Sequence, residues 1–174
     1  MKEEASQFGR DDVGHILPMT KRSRKMMVVV DGSPECQVAL RFSAGRAAHI
    51  EGGGVILFHC VRAGEFQHWM AVADRMREEA YTEAQDMLDE MSDRVFAYCS
   101  VTPEVAIVEG DPGAAIIEFI EKRDDIFMLT LGASAEGEPG PLVDYFSGPL
   151  VGTLKCPLAI IPGNLTYEEI DALV

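Results

Sequence analysis

A chain of 174 residues with an apolar fraction of 47% has enough material for one buried core and too little length for two ordinary domains. Fifteen basic against twenty-nine acidic residues leave a net charge of -14, which opposes a phosphate backbone and excludes nucleic acid as the expected partner. No run approaches the roughly 18 consecutive apolar residues of a membrane span, and the opening MKEEASQFGRDDVGH is acidic and polar where a secretory leader is basic and then apolar; no membrane partner and a cytoplasmic location are expected.

Residues 1–24 show no periodicity and read as a flexible N-terminal extension, with KRSRK at Lys21 to Lys25 as a solvated entry to the fold. Met26 to Val30 is a continuous apolar run of strand length, as expected for a strand covered on both faces, and it ends at the turn pair Asp31-Gly32. Ser33 then offers an N-cap and Pro34 suits the first helical position, where its missing N–H costs nothing. The helix predicted from there runs to about Ile50, with Val38, Phe42 and Gly45 on one face. EGGG at Glu51 to Gly54 closes it, and Val55 to Val61 follows as a second buried strand.

From about Phe66 to Phe96 the pattern is helical, and Met76, Ala80, Ala84, Met87 and Met91 trace one stripe assigned to the core. Thr102 to Glu109 predicts a third strand, with Pro103 tolerated at its start. Gly110 makes the turn, Asp111 caps the next helix with Pro112 at its first position, and Ile116, Ile117 and Ile120 supply the apolar face. Ile126 to Leu131 predicts a fourth strand, Leu142 to Leu154 a short helix, and Leu158 to Ile161 a fifth strand ended by Pro162-Gly163. Residues 164–174 form a short C-terminal tail in which Thr166 and Glu169 make a capping box, the signal for a last short helix.

Strands alternating with helices predict an α/β fold, a doubly wound five-stranded parallel sheet with helices on both faces and right-handed crossovers. Ligands of such sheets bind beyond the carboxyl ends of the strands, where the strand order reverses. That rule selects Asp31-Gly32-Ser33, the segment beyond Val61, Gly110-Asp111-Pro112 and Gly132-Ala133-Ser134 as the wall of a site. Catalysis finds no support: His59 and Cys60 are neighbours on a strand and point to opposite faces, and no nucleophile elbow or P-loop lysine is present. The expectation is a protein that is not an enzyme. Cys36, Cys60, Cys99 and Cys156 lack the spacing of a metal site and read as free thiols.

VVVDGSPE, VILFHCV, VEGDPGAAIIEFIE and CPLAIIP, in that order, resemble the universal stress protein family over about Lys25 to Pro162, which sets residues 25–163 as the domain. The resemblance implies the strand order 3-2-1-4-5, with Asp31 and Gly132 facing each other where the order reverses. It further implies an adenine nucleotide, ATP or AMP, held by Asp31, Gly32, Ser33, Cys60, Gly110, Leu131, Gly132, Ala135 and Ser147. It also implies a homodimer through the apolar edge strand Leu158, Ala159, Ile160 and Ile161.

The family's nucleotide binders carry Gly-x-x-Gly and then, at a fixed interval, Gly-Ser/Thr, so that backbone N–H groups and a hydroxyl wrap the phosphates. This chain keeps Gly132 but has Ala135 at the second glycine and Asp144-Tyr145 near the closing pair, with Ser147 matching a later hydroxyl. A shifted register, Gly137 to Gly140 with Gly148, offers another glycine-rich turn. Glu136, Glu138 and Asp144 repel phosphate, and Pro139 and Pro141 lack donors, so adenosine or a monophosphate is less penalised than ATP. Asp31 has two roles open to it, holding a ribose or fixing its own turn. Two functions also stay open: a stress-response dimer acting through partner binding with a degenerate nucleotide loop, or an ATP- or AMP-responsive switch that orders residues 133–148.

Overall fold

The computed structural model describes residues 23–62 and 70–174. Along the chain these form β1 (Arg24–Val29), α1 (Pro34–Ala48), β2 (Gly53–Val61), α2 (Met70–Cys99), β3 (Glu104–Glu109), α3 (Pro112–Glu121), β4 (Ile126–Ala133), α4 (Pro141–Ser147), a 3₁₀ helix (Pro149–Thr153), β5 (Leu158–Pro162) and α5 (Tyr167–Asp171). The five strands are parallel in the order β3-β2-β1-β4-β5, so the chain crosses from one half of the sheet to the other between β1 and β4. Met26 and Val28 point into one core, with Leu40, Leu88, Val95 and Ile170. Met27 and Val29 point into the other, with Ile56, Phe58, Ile116 and Phe146. Period-two alternation therefore buries every residue of the run, which is why it reads as continuously apolar.

Local signals set the helix starts. Ser33 Oγ accepts from Cys36 N at 3.3 Å and Asp111 Oδ1 from Ala114 N at 3.0 Å. Thr166 and Glu169 form the reciprocal box that starts α5. The tail then joins the body. Ile170 is fully buried, and Asp171 accepts a two-pronged pair from Arg41 at 2.7 and 2.6 Å and a third bond from Tyr98 Oη at 2.7 Å.

Three expectations need correction. The first strand begins at Arg24, inside the segment assigned to the extension, with its guanidinium over the Phe127 ring; residues 1–22 lie outside the described residues, as does the Phe66 start of the second helix. Met76 is 42% exposed and does not belong to the core stripe, because residues 74–79 are exposed all round where α2 stands clear of the sheet. The buried face of that helix runs through Ala84, Leu88, Met91 and Val95. Finally, the helix expected over Leu142–Leu154 is two pieces, broken at Gly148, whose φ of -86° and ψ of -150° are extended, outside the helical region that a residue before proline avoids.

At the amino ends of the strands, Lys25 Nζ lies 2.6 Å from Glu104 and 3.0 Å from Asp125, while Arg123 bonds both carboxylates. The Arg123 guanidinium holds the Glu104 carboxyl down to about 2 against the opposing effect of burial, and lowers that of Asp125 as well. A depressed folded value gives stability that is present above the unfolded one and lost as pH falls through the folded one. Stability should therefore fall as pH drops from about 4.3, the ordinary glutamate value, to about 2. Because the Glu104 side chain is 37% exposed, solvent screening reduces its share to about 1 kcal/mol. Urea midpoints measured across that range should show a shallower acid loss for Glu104→Gln than for the parent.

Candidate functional site

Where the strand order reverses, a cleft of about 510 Å³ opens over the carboxyl ends of β1, β2 and β4. Val30, Asp31 and Ser33 form one side, and His59, Cys60 and Arg62 continue it from the end of β2. Glu83, Ala84 and Met87 of α2 close it on one face of the sheet, and residues 139–143 close it on the other.

Asp31 fixes its own turn: Oδ1 accepts from Ser33 N at 3.0 Å, and Gly32 between them takes a φ of 80° that suits glycine. Its Oδ2 has no hydrogen-bond partner among the described residues, so the turn-fixing role leaves an acceptor at the cleft. His59 Nδ1 lies 2.7 Å from the Val30 carbonyl, and Cys60 Sγ lies 3.5 Å from the Gly110 carbonyl on the opposite side of the strand. Burial pushes the Cys60 thiol up, and pushes that of Cys36, which donates to the Val29 carbonyl, up to about 11. Neither thiol is poised as a thiolate.

The loop after β4 closes on itself. Ser134 N donates to Pro139 O at 3.1 Å, and Glu136 N donates to Ser134 Oγ at 3.3 Å. Pro139 and Pro141 have no N–H to offer. At the start of α3, Asp111 occupies Ala114 N and the Tyr145 ring lies over Gly113, so close that a Cβ there would stand 2.6 Å from Cε1. Gly132 serves packing: a Cβ on it would lie 2.5 Å from Glu35 O and 2.9 Å from Cys36 N. The glycine lets the first turn of α1 settle against β4. Among the described residues, the lining includes three acidic residues, Asp31, Glu35 and Glu83, and one arginine, Arg62.

Of the residues expected to hold a nucleotide, the structure brings Asp31, Ser33, Cys60, Leu131 and Gly132 to the cleft. Gly32 sits in the turn between two of them, and Gly110 stands beside Cys60. Ala135 lies in the self-closed loop and Ser147 is exposed at the end of α4; neither lines the cleft. Sequence reasoning missed the contribution of α2, because Ala80, Ala84 and Met87 serve both core stripe and cleft wall. Glu83, a carboxylate bordering that stripe, is the signal that marks the wall. Among the described residues no group of three His, Cys, Asp or Glu side chains is placed to hold a metal ion, and no helix is long and apolar enough to cross a membrane.

A model of the "Universal stress protein family" matches residues 22–162. No curated protein sequence matches the chain. Among solved structures, the universal stress protein UspA from Lactobacillus plantarum superposes with a TM-score of 0.66 at 17% identity, over 80% of this chain and 98% of that one. A universal stress protein in complex with cAMP gives 0.57 at 16% identity, over 82% and 99%. One from Archaeoglobus fulgidus in complex with dAMP gives 0.57 at 17% identity, over 80% and 98%.

Proposed function

The chain belongs to the universal stress protein family, and from that premise we propose that it is a non-catalytic binding module whose cleft takes an adenine nucleoside or its monophosphate in preference to ATP. The observation that carries the reading is the loop after β4, whose Ser134 and Glu136 N–H groups are spent within the loop. A polyphosphate needs several such donors converging on it, and it would also meet Asp31, Glu35 and Glu83 with Arg62 as the one counter-charge among the described residues of the lining. A nucleoside end needs strand-end backbone, acceptors for ribose hydroxyls and apolar walls, all of which the cleft has. The cAMP and dAMP bound by two structures of the same fold are ligands with a single phosphate. Calorimetry with adenosine, AMP and ATP should rank ATP weakest by about tenfold or more. Tightest binding by ATP, or stoichiometric ATP released on denaturing the purified protein, overturns the reading.

The output of this module is partner binding in a cytoplasmic stress response, by a homodimer joined along β5. Among the described residues β5 pairs with β4 alone, and Ile160 on that edge strand is 37% exposed. Light scattering should give a dimer at micromolar concentration and a monomer for Ile160→Glu. A monomeric parent, or a variant that associates unchanged, removes the edge-strand assignment. Fractionation of the native host tests the location.

A further inference from the structure

We propose that His59 reads the base in the cleft, its Nε2 accepting a hydrogen bond from the exocyclic amino group of adenine; this rests on the nucleoside reading of the same site. The end of β2 delivers the ring. Alternation along the strand puts His59 on the side facing α1 and α2, while Cys60 turns towards Gly110 and α3. His59 Nδ1 lies 2.7 Å from the Val30 carbonyl oxygen. A carbonyl only accepts, so Nδ1 must carry the hydrogen, and in the neutral ring Nε2 is left with a bare lone pair. Val30 is itself held, 1% exposed and donating its N–H to Phe58 O at 2.8 Å, so the acceptor that orients the ring is fixed to both strands.

Nε2 has no partner among the described residues, and the half-buried ring lines the cleft. Beside the donors Arg62 and Ser33, much of the lining accepts or is apolar. Asp31, Glu35 and Glu83 are acceptors, and Ala80, Ala84 and Met87 offer no polar hydrogen. Three carboxylates and the bare His59 Nε2 suit a ligand that brings donors, and adenosine presents an amino group at one end and ribose hydroxyls at the other. Inosine differs at that amino position, where it offers a carbonyl oxygen. Two acceptors would then face each other, and the ring cannot relieve this by moving its hydrogen to Nε2, since Nδ1 would be left bare against the Val30 oxygen. A site that leaves a polar group unpaired rejects the analogue strongly.

The test is calorimetry in mildly alkaline buffer with adenosine, inosine and N6,N6-dimethyladenosine, on the full chain and on His59→Phe and His59→Gln. The parent should bind adenosine about tenfold or more tightly than either analogue. His59→Phe should bring the three within about twofold of one another, and His59→Gln, which can donate to Val30 and still accept, should recover part of the preference. Equal binding of adenosine and the dimethyl compound by the parent overturns the inference while leaving the nucleoside site standing, and this arm needs no variant to fold. An undiminished preference in a folded His59→Phe also overturns it. Absence of binding by all three nucleosides to the parent overturns both the site and the inference.

Discussion

Gly132→Ala is expected to destabilise the protein by about 3 kcal/mol, at the upper end of overpacking effects. The methyl group would stand 2.5 Å from the Glu35 carbonyl oxygen and 2.9 Å from Cys36 N. Both are backbone atoms in the first turn of α1, held in place by the Ser33 cap and by Cys36, which is 2% exposed. Relief would require moving the helix off β4, and with it Asp31 and Ser33, so the cleft should be lost along with stability. Urea denaturation followed by circular dichroism measures the first effect, and nucleoside titration of whatever remains folded measures the second. An unchanged urea midpoint with ligand binding lost would return Gly132 to the phosphate-wrapping role its place in the family pattern implies.

The second large effect belongs to the tail. Ile170→Ala should cost about 3 kcal/mol, because a fully buried side chain is cut back in a core that cannot collapse around the space. Its neighbours in that core include Leu40 and Leu88 from the two long helices. Asp171→Asn should do less, since the Arg41 and Tyr98 bonds it weakens lie at the surface, with the Asp171 side chain 42% exposed. A midpoint for Ile170→Ala within about 0.5 kcal/mol of the parent would mean that α5 is not part of the folding unit. The same outcome would justify treating residues 164–174 as a tail.

Elements controlled by near neighbours were legible. Ser33-Pro34, Asp111-Pro112 and Thr166 to Glu169 place three helix starts because each cap is made within three residues of its helix. The strand order came from the family resemblance and agrees with the structure. The break at Gly148-Pro149 was available too, since a residue before proline avoids helical backbone, but the apolar periodicity across it concealed the interruption. Met76 shows the limit of periodicity itself: a stripe says which face could be buried, and where the helix leaves the sheet decides which part is.

The cleft was legible in location and not in character. Asp31 and Gly132 face it as the reversal of strand order requires. The need for glycine at 132 depends on how near α1 approaches β4, and the orientation of His59 depends on a carbonyl 29 residues away in sequence. Neither distance has a local signature. Loop hydrogen bonds such as Ser134 to Pro139 are equally invisible, because an acid-rich and proline-rich loop could as well have opened towards the cleft.

The three carboxylates at the cleft also set how a ligand arrives. For an anion such as AMP, the last approach runs uphill in potential, and the whole-molecule charge of -14 adds to that barrier at long range. Dissolved salt weakens the repulsion: at roughly physiological ionic strength the Debye length is about 8 Å, so beyond the cleft mouth the field is largely gone. On the proposed nucleoside reading, association of AMP should thus become faster as ionic strength rises, the reverse of the usual steered encounter, while uncharged adenosine should arrive at a rate that salt leaves alone.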